Sequence, residues 1–366
     1  MDVHKMLHVV TAVIEHPDGT IAQQSREFGG FKRDYHALTN WLLDLHVELV
    51  VMESTDIYCK SIYAHLERAG IQAWVVNAHF VKHVPGRKRD MNDSQWLAVL
   101  ARFGLVRASF IPPQDLRELR LVFRYRRKLS AMRASEINRL HKILDDGGIK
   151  LRGVVSDING LSARAMVTGL IEGKSIPALL DMARGWLKVR REDLQAALDG
   201  DPSARHRFIL EHIHWHIEIL ERSLAQIDAY ILAAMAPYQW AHRLLQTIPG
   251  IDQIVSALIL IEIGDDMTRF GNADRIAAWA ALCPANNESV GKRKSGRIGK
   301  GGSVIRYIMC ECANSAWKTK SSLASKYKSL MVRKTHKKGH HRLGSQDDTA
   351  DLPPLDTQNC VSRLAD

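Results

Sequence analysis

Four acids stand where a metal-dependent phosphoryl-transfer site can be built. Asp2 opens the chain within MDVHK, and Glu53 follows directly on the β-rich run ELVVM. Asp90 and Asp93 lie three apart in GRKRDMNDSQW, where a helical pattern starts. Three-residue spacing puts two carboxylates on one helical face. Acids at strand ends and on a first helical turn can converge above a sheet edge. Such oxygens hold one or two Mg²⁺ ions, which stabilise the attacking and leaving oxygens of phosphoryl transfer. The plainer reading is that Asp90 and Asp93 only cap a helix dipole, and spacing does not separate the two.

A second constellation lies in CPANNESVGKRKSGRIGKGG. It holds Ser289, Ser295, five Lys/Arg and five glycines ahead of the helical run SVIRYIMCECANSAW. A serine hydroxyl can attack a phosphodiester if cations stabilise the developing charge and a base or metal assists deprotonation. Lys292, Arg293, Lys294, Arg297 and Lys300 can supply the cations, and the glycines let backbone approach DNA. The alternative is a basic loop that only grips phosphates. Upstream, LLQTIPGI places Gly250 in a turn that resembles a helix-hairpin-helix element, whose N–H groups can face a phosphate. An ordinary interhelical turn accounts for it equally well.

Charge supports a polyanionic partner. The chain has 51 Lys/Arg against 40 Asp/Glu, a formal +11. From Gly291 to Lys338 there are 14 Lys/Arg against one acid, Glu311, so this block exceeds the charge of the whole molecule. Five scattered cysteines suit a reducing cytoplasm, not a disulfide framework. No basic-then-apolar leader precedes the first strand, and the longest apolar run, Ile254 to Ile263, is short and broken by Glu262.

The elements that must position these residues follow from periodicity. Residues 6–15 and 20–28 read as strands around the turn Pro17-Asp18-Gly19, then helix 31–45, strand 48–52, helix 57–68 and strand 71–76. A short helix over 78–84 and a longer one from Asn92 complete an α/β domain over 1–112. Residues 113–240 read as helical. Two long helices, 115–144 and 207–235, flank shorter ones and suggest a coiled-coil arm. On the first, Arg124, Arg126, Arg127, Lys128, Arg133 and Arg139 crowd the faces away from the apolar stripe. Residues 241–338 form a third, mostly helical unit around the basic loop.

Two further groups do not make a strong site. His212 and His216 are one helical turn apart, but no nearby acid or cysteine completes a metal set. His336, His340 and His341 adjoin the tail and are treated alike. Cys310 and Cys312 read as helix-packing residues. The tail, 339–366, has no periodicity and reads as disordered. A coding string for GHHRLGSQDDTADL, read one base later, gives an apolar-striped helix, so a frameshift is expected there; the gene's nucleotide sequence checks it.

The strings MDVHK, VMESTDIY, VVNAHFVKHVPGRKRDMNDSQWLA and LARFGLVRASFIPP resemble the N-terminal domain of the one-ten family of insertion-sequence transposases. These are the DEDD transposases, or bridge-RNA-guided recombinases. LQTIPGI, DRIAAWAALCPANNES and GKRKSGRIGKGGSVIRYIM resemble the same family's C-terminal domain. The resemblance implies a RuvC-like, RNase H-type α/β domain, then the long-helix region and a mostly helical transposase domain. It places the acidic tetrad on Asp2, Glu53, Asp90 and Asp93, with Mg²⁺, and the nucleophile on Ser289, linked covalently to DNA in a composite site. It also implies a homo-oligomer on the element's DNA, guided by a structured RNA. Departures are Met1 as the one residue ahead of Asp2, Asp56 for a usual Gly, Cys59 for a Trp, and Val290 for Gly or Ala. Set against this reading are a metal-only nuclease of the Holliday-junction type and a non-catalytic nucleic-acid-binding derivative of a transposase.

Overall fold

Alternation of β-branched and polar residues makes the opening of the chain a hairpin. In the computed structural model, β1 (Asp2–Val3), β2 (Leu7–Glu15) and β3 (Ile21–Gly29) form an antiparallel sheet. The structure describes residues 1–54, 57–78, 81, 92–282, 287–289, 292–295 and 303–333. The turn falls at Asp18-Gly19 as expected: Gly19 takes φ 80°, and His16 N–H donates to the Thr20 carbonyl at 2.9 Å. Non-glycine residues rarely adopt that φ.

The chain divides into two compact units, Met1–Gln114 and the part from Asp115 onward. In the first, α1 (Lys32–Asp44) leads into β4 (Leu49–Glu53), α2 (Tyr58–Arg68), β5 (Gln72–Val76) and α3 (Asp93–Arg102). β4 and β5 run parallel, with Glu53 opposite Val76. β1 joins the two sheets: Asp2 pairs with Val9 of β2, and the Met1 amine donates to the Val51 carbonyl of β4 at 2.8 Å. Successive residues of β4 point to opposite faces. Met52 enters a core with Leu38, Leu42, Ile62 and Leu66, whereas Val51 enters another with Trp96, Leu97 and Leu100. Helices therefore cover both faces, an arrangement compatible with the RNase H-type fold that the resemblance implies. Cys59, in place of a larger aromatic, packs in the first of these cores. Most of the helix expected over 78–84 lies outside the described residues.

The second unit is helical. α4 (Gln114–Asp146) and α8 (Ala204–Ala234) are the two long helices, with α5 (Leu161–Ile171), α6 (Ile176–Leu180) and α7 (Arg191–Leu198) between them. Their direction follows from their ion pairs. Arg126 meets Asp228, Arg133 meets Glu221, Glu136 meets His216 and Asp146 meets His206. Partner numbers fall on one helix as they rise on the other, so the pair is antiparallel. Heptad spacing of buried residues holds only over Leu210, Ile213, Ile217 and Leu220. Beyond that the seam carries polar pairs, so the two helices pair without the continuous apolar seam of the coiled coil expected from the sequence.

Two of the arginines expected to face away from the apolar stripe are thus spent inside the molecule. Glu221 collects Arg133 at 2.8 Å and Arg164 and Asn159 at 2.6 Å, and these donors hold its carboxyl below the usual range against the burial that raises it. Leu140, Leu144, Leu151, Met166, Leu194 and Leu210 share one core around the insert. At the other end of the arm, Leu116, Phe123 and Ile231 pack with α10 (Gln253–Ile263) and α12 (Ser303–Ala316). α9 (Gln239–Gln246), α11 (Ala273–Trp279), the hairpin β6 (Asn287–Ser289) and β7 (Lys292–Ser295), and α13 (Ser322–Arg333) complete the described chain. Among the described residues no helix is long and apolar enough to cross a membrane.

His8 gives the first unit a pH response. Its ring is 1% exposed on β2, and among the described residues neither ring nitrogen has a hydrogen-bond partner. Burial lowers its pKa from the ordinary 6.5; His4 lowers it further, while Asp34 and Asp2 oppose. Between that lowered value and 6.5 the unfolded chain binds more protons than the folded one. Its stability contribution is therefore full above pH 6.5 and lost as pH falls towards the folded-state value. Urea denaturation across this window should give a shallower pH dependence for His8→Phe than for the parent chain. Equal slopes would mean that His8 takes up protons alike in the folded and unfolded chain, so that folding does not lower its pKa.

Candidate active site

The described acids of the first site sit at element ends. Glu53 is the last residue of β4 and is half-buried; ligands of α/β sheets gather at such carboxyl ends. Asp2 lies on β1 with its side chain 20% exposed, and its Oδ2 is 3.1 Å from His4 Nε2. Asp93 is exposed and opens α3. That helix begins at Asp93, after an extended cap residue, Asn92. Asp90 is outside the described residues, and so is the three-residue relation expected between it and Asp93. Carboxylate oxygens are the hard donors Mg²⁺ takes, so the chemistry of the donor set fits the ion. Among the described residues no three carboxylate, imidazole or thiol groups come together to hold a metal.

What fixes α3 against the sheet is a set of hydroxyls that composition and spacing did not single out. Asn92 Oδ1 accepts from the Gln95 amide at 2.8 Å, and Gln95 Oε1 accepts from the Asn92 amide at 3.1 Å. This reciprocal capping box was legible as Asn-x-x-Gln. Ser94, fully buried, donates to Asn92 Oδ1 at 2.8 Å and lies 2.8 Å from Thr11 Oγ1 on β2. Thr11 is in turn 3.0 Å from Ser25 of β3. The residue after Asp93 thus ties the helix start to two strands. The link is polar, buried and satisfied, which favours one geometry over a sliding contact.

In the second unit, the backbone of β6 and β7 pairs Ser289 with Lys292, Glu288 with Arg293, and Asn287 with Ser295. Ser289 and Lys292 are the last paired positions before the turn. Lys294 also lies on β7, whereas Arg297 and Lys300 lie outside the described residues. Gly250 takes φ 91° between α9 and α10. A Cβ there would stand 2.6 Å from the Cys312 carbonyl and 2.9 Å from the Ala316 amide, so the glycine's smallness serves packing on α12. Asp252 caps α10 by accepting from the Val255 amide at 2.7 Å. Cys312 is buried beside this turn, its thiol pushed up to about 12 by burial.

The histidine pair on α8 does not converge. His212 Nδ1 is 2.9 Å from the Phe208 carbonyl, while His216 Nδ1 is 3.4 Å from Glu136 on α4. An acid does stand near His216, on a helix that sequence spacing does not relate to it. The cluster His336, His340 and His341 and the tail from 339 lie outside the described residues.

Two family models match the chain. One, described as a transposase of the DEDD type, covers residues 1–148; the other, described as a transposase of the IS116/IS110/IS902 family, covers residues 242–328. Together they account for more than half of the chain. No curated protein matches it.

Ser94→Ala should destabilise the first unit by about 0.5–1.5 kcal/mol, because the buried Thr11 hydroxyl loses one of its two side-chain partners. Urea denaturation measures this. A variant as stable as the parent would show that the hydroxyl link carries nothing.

Proposed function

Because the chain belongs to the IS110 family of insertion-sequence transposases, we propose that it cuts and rejoins its element's DNA with Ser289 as nucleophile. Asp2, Glu53, Asp90 and Asp93 would hold a divalent ion, Mg²⁺. The observation that carries the serine reading is the hairpin register, which sets Ser289 opposite Lys292 at the head of a basic loop.

In this reading the Ser289 oxygen attacks a backbone phosphorus and gives up its proton. An oxygen–phosphorus bond forms to the protein. The bond to the deoxyribose oxygen breaks, and that oxygen leaves with a proton. Attack by a second DNA hydroxyl reverses the exchange and frees Ser289. Lys292, Arg293 and Lys294, with Arg297 and Lys300, hold phosphates and offset the charge that builds on the transferred group. The ion would supply Lewis-acid stabilisation of the attacking and leaving oxygens. Gly250 N–H remains a proposed phosphate contact beside its packing role. A structured guide RNA and a second copy of the chain belong to the same reading. Exposed Leu121, Tyr125, Phe208 and Trp215 on the paired helices offer apolar surface for another copy.

The test incubates the protein with element ends, RNA and Mg²⁺ and looks for protein–DNA adducts after denaturation. Ser289→Ala should abolish adducts and joining while nucleic-acid affinity stays nearly unchanged, since one hydroxyl contributes few phosphate contacts. Joining by this variant would refute the serine mechanism and direct attention to Ser295. Glu53→Gln and Asp90→Asn should each eliminate Mg²⁺-dependent activity; full activity in both would reduce the acids to caps. Free cut ends without adducts would favour a metal-only nuclease, and binding without cleavage a non-catalytic derivative.

A further inference from the structure

The helical unit carries a row of cations that its internal ion pairs leave uncompensated. Arg120, Arg124 and Arg127 of α4 lie at i, i+4 and i+7, one face of a helix. Arg120 and Arg124 share a single carboxylate, Glu262, at 3.3 and 3.4 Å. Glu262 is buried and Arg120 nearly so, whereas the Arg124 side chain is 46% exposed. Arg127 is exposed, and among the described residues no carboxylate pairs with it. Its guanidinium lies over the ring of Tyr307, 5.1 Å from the centroid. Tyr307 is 51% exposed on α12, the helix that follows the basic loop. One buried acid thus answers two of the three arginines, and the remaining charge is presented to solvent beside an aromatic face.

A solvated cation gains little from lying on a ring at the surface. A guanidinium set over an exposed aromatic can, however, grip a phosphate while leaving a π-face for an unpaired base. We propose that Arg124, Arg127 and Tyr307 form a DNA-contact surface separate from the serine loop. The arginines hold backbone phosphates, and Tyr307 stacks a base of a strand opened next to the cut. The choice of DNA as the polyanion rests on the transposase reading above; the surface itself rests on the charge excess and the stacked pair.

The experiment measures fluorescence anisotropy of the full chain on labelled duplex and single-stranded DNA over a KCl series, with structured RNA of equal length alongside. Arg127→Gln removes the charge and keeps a polar side chain; it should reduce the slope of log affinity against log salt by about one. Tyr307→Ala should lose roughly five- to a hundredfold on single-stranded DNA, and Tyr307→Phe should retain binding. Thermal melting of each variant checks that the fold is intact, and an unfolded Tyr307→Ala leaves Arg127→Gln to decide. Parent-like slope and affinity in Arg127→Gln and Tyr307→Ala overturn the surface while the transposase reading stands. A loss confined to RNA overturns the assignment to DNA. If the parent shows no salt-dependent DNA binding, the transposase reading fails and this surface with it.

Discussion

The helical unit depends on what happens to one buried carboxylate. Glu262 sits 4% exposed near the end of α10, directly after the buried apolar run Ala257 to Ile261. An unpaired charge at that depth would be prohibitive. Arg120 answers it from α4, and also donates to the Ile261 and Glu262 carbonyls at 3.2 and 2.5 Å, occupying acceptors that the helix end leaves open. Burial pulls the guanidinium below its ordinary value, and Glu262 holds it up. Removing either partner from such a pair costs on the order of 3–5 kcal/mol. The pair therefore specifies where the base of the arm meets α10.

From that junction the arm extends as two antiparallel helices whose seam is largely ionic. Salt bridges with partial exposure add little stability, but complementary charge fixes register. Arg126 with Asp228 and Arg133 with Glu221 are seven residues apart on α4 and on α8, so a slip by one turn would bring unmatched charges together. The apolar cores at the two ends supply cohesion, and the polar middle supplies alignment. A long basic helix can in this way be neutral towards its partner and cationic towards solvent, which leaves Arg124 and Arg127 on the outside.

The first unit solves a different problem with a similar device. Its first strand is two residues long, and two sheets meet across it. Few backbone bonds hold that junction, so side chains do more of the positioning. The Met1 amine is fully buried against Val51, and its pKa falls to about 5 for that reason. Ser94 and Thr11 close the gap between α3 and the hairpin with hydroxyls in place of hydrocarbon. Contacts of fixed length set where α3 begins relative to the two strands.

Sequence alone determined the local structure, because local structure is written in spacing that neighbours can read. Short β-rich runs bounded by turns marked β2, β4 and β5; the threes and fours marked α4; Pro17-Asp18-Gly19 marked the turn. It also located the four acids, the serine loop and the basic block, since residue type and local charge need no partner to be seen. Resemblance then ordered those features into one family. Only the tertiary structure decided which charges face inward. Arg120 and the Ile261 carbonyl are 141 residues apart, Thr11 and Ser94 83, Arg126 and Asp228 102. No periodicity spans such separations. Whether an arginine ends against a carboxylate or against solvent depends on the element that folds over it, and that is set by the packing of the chain as a whole.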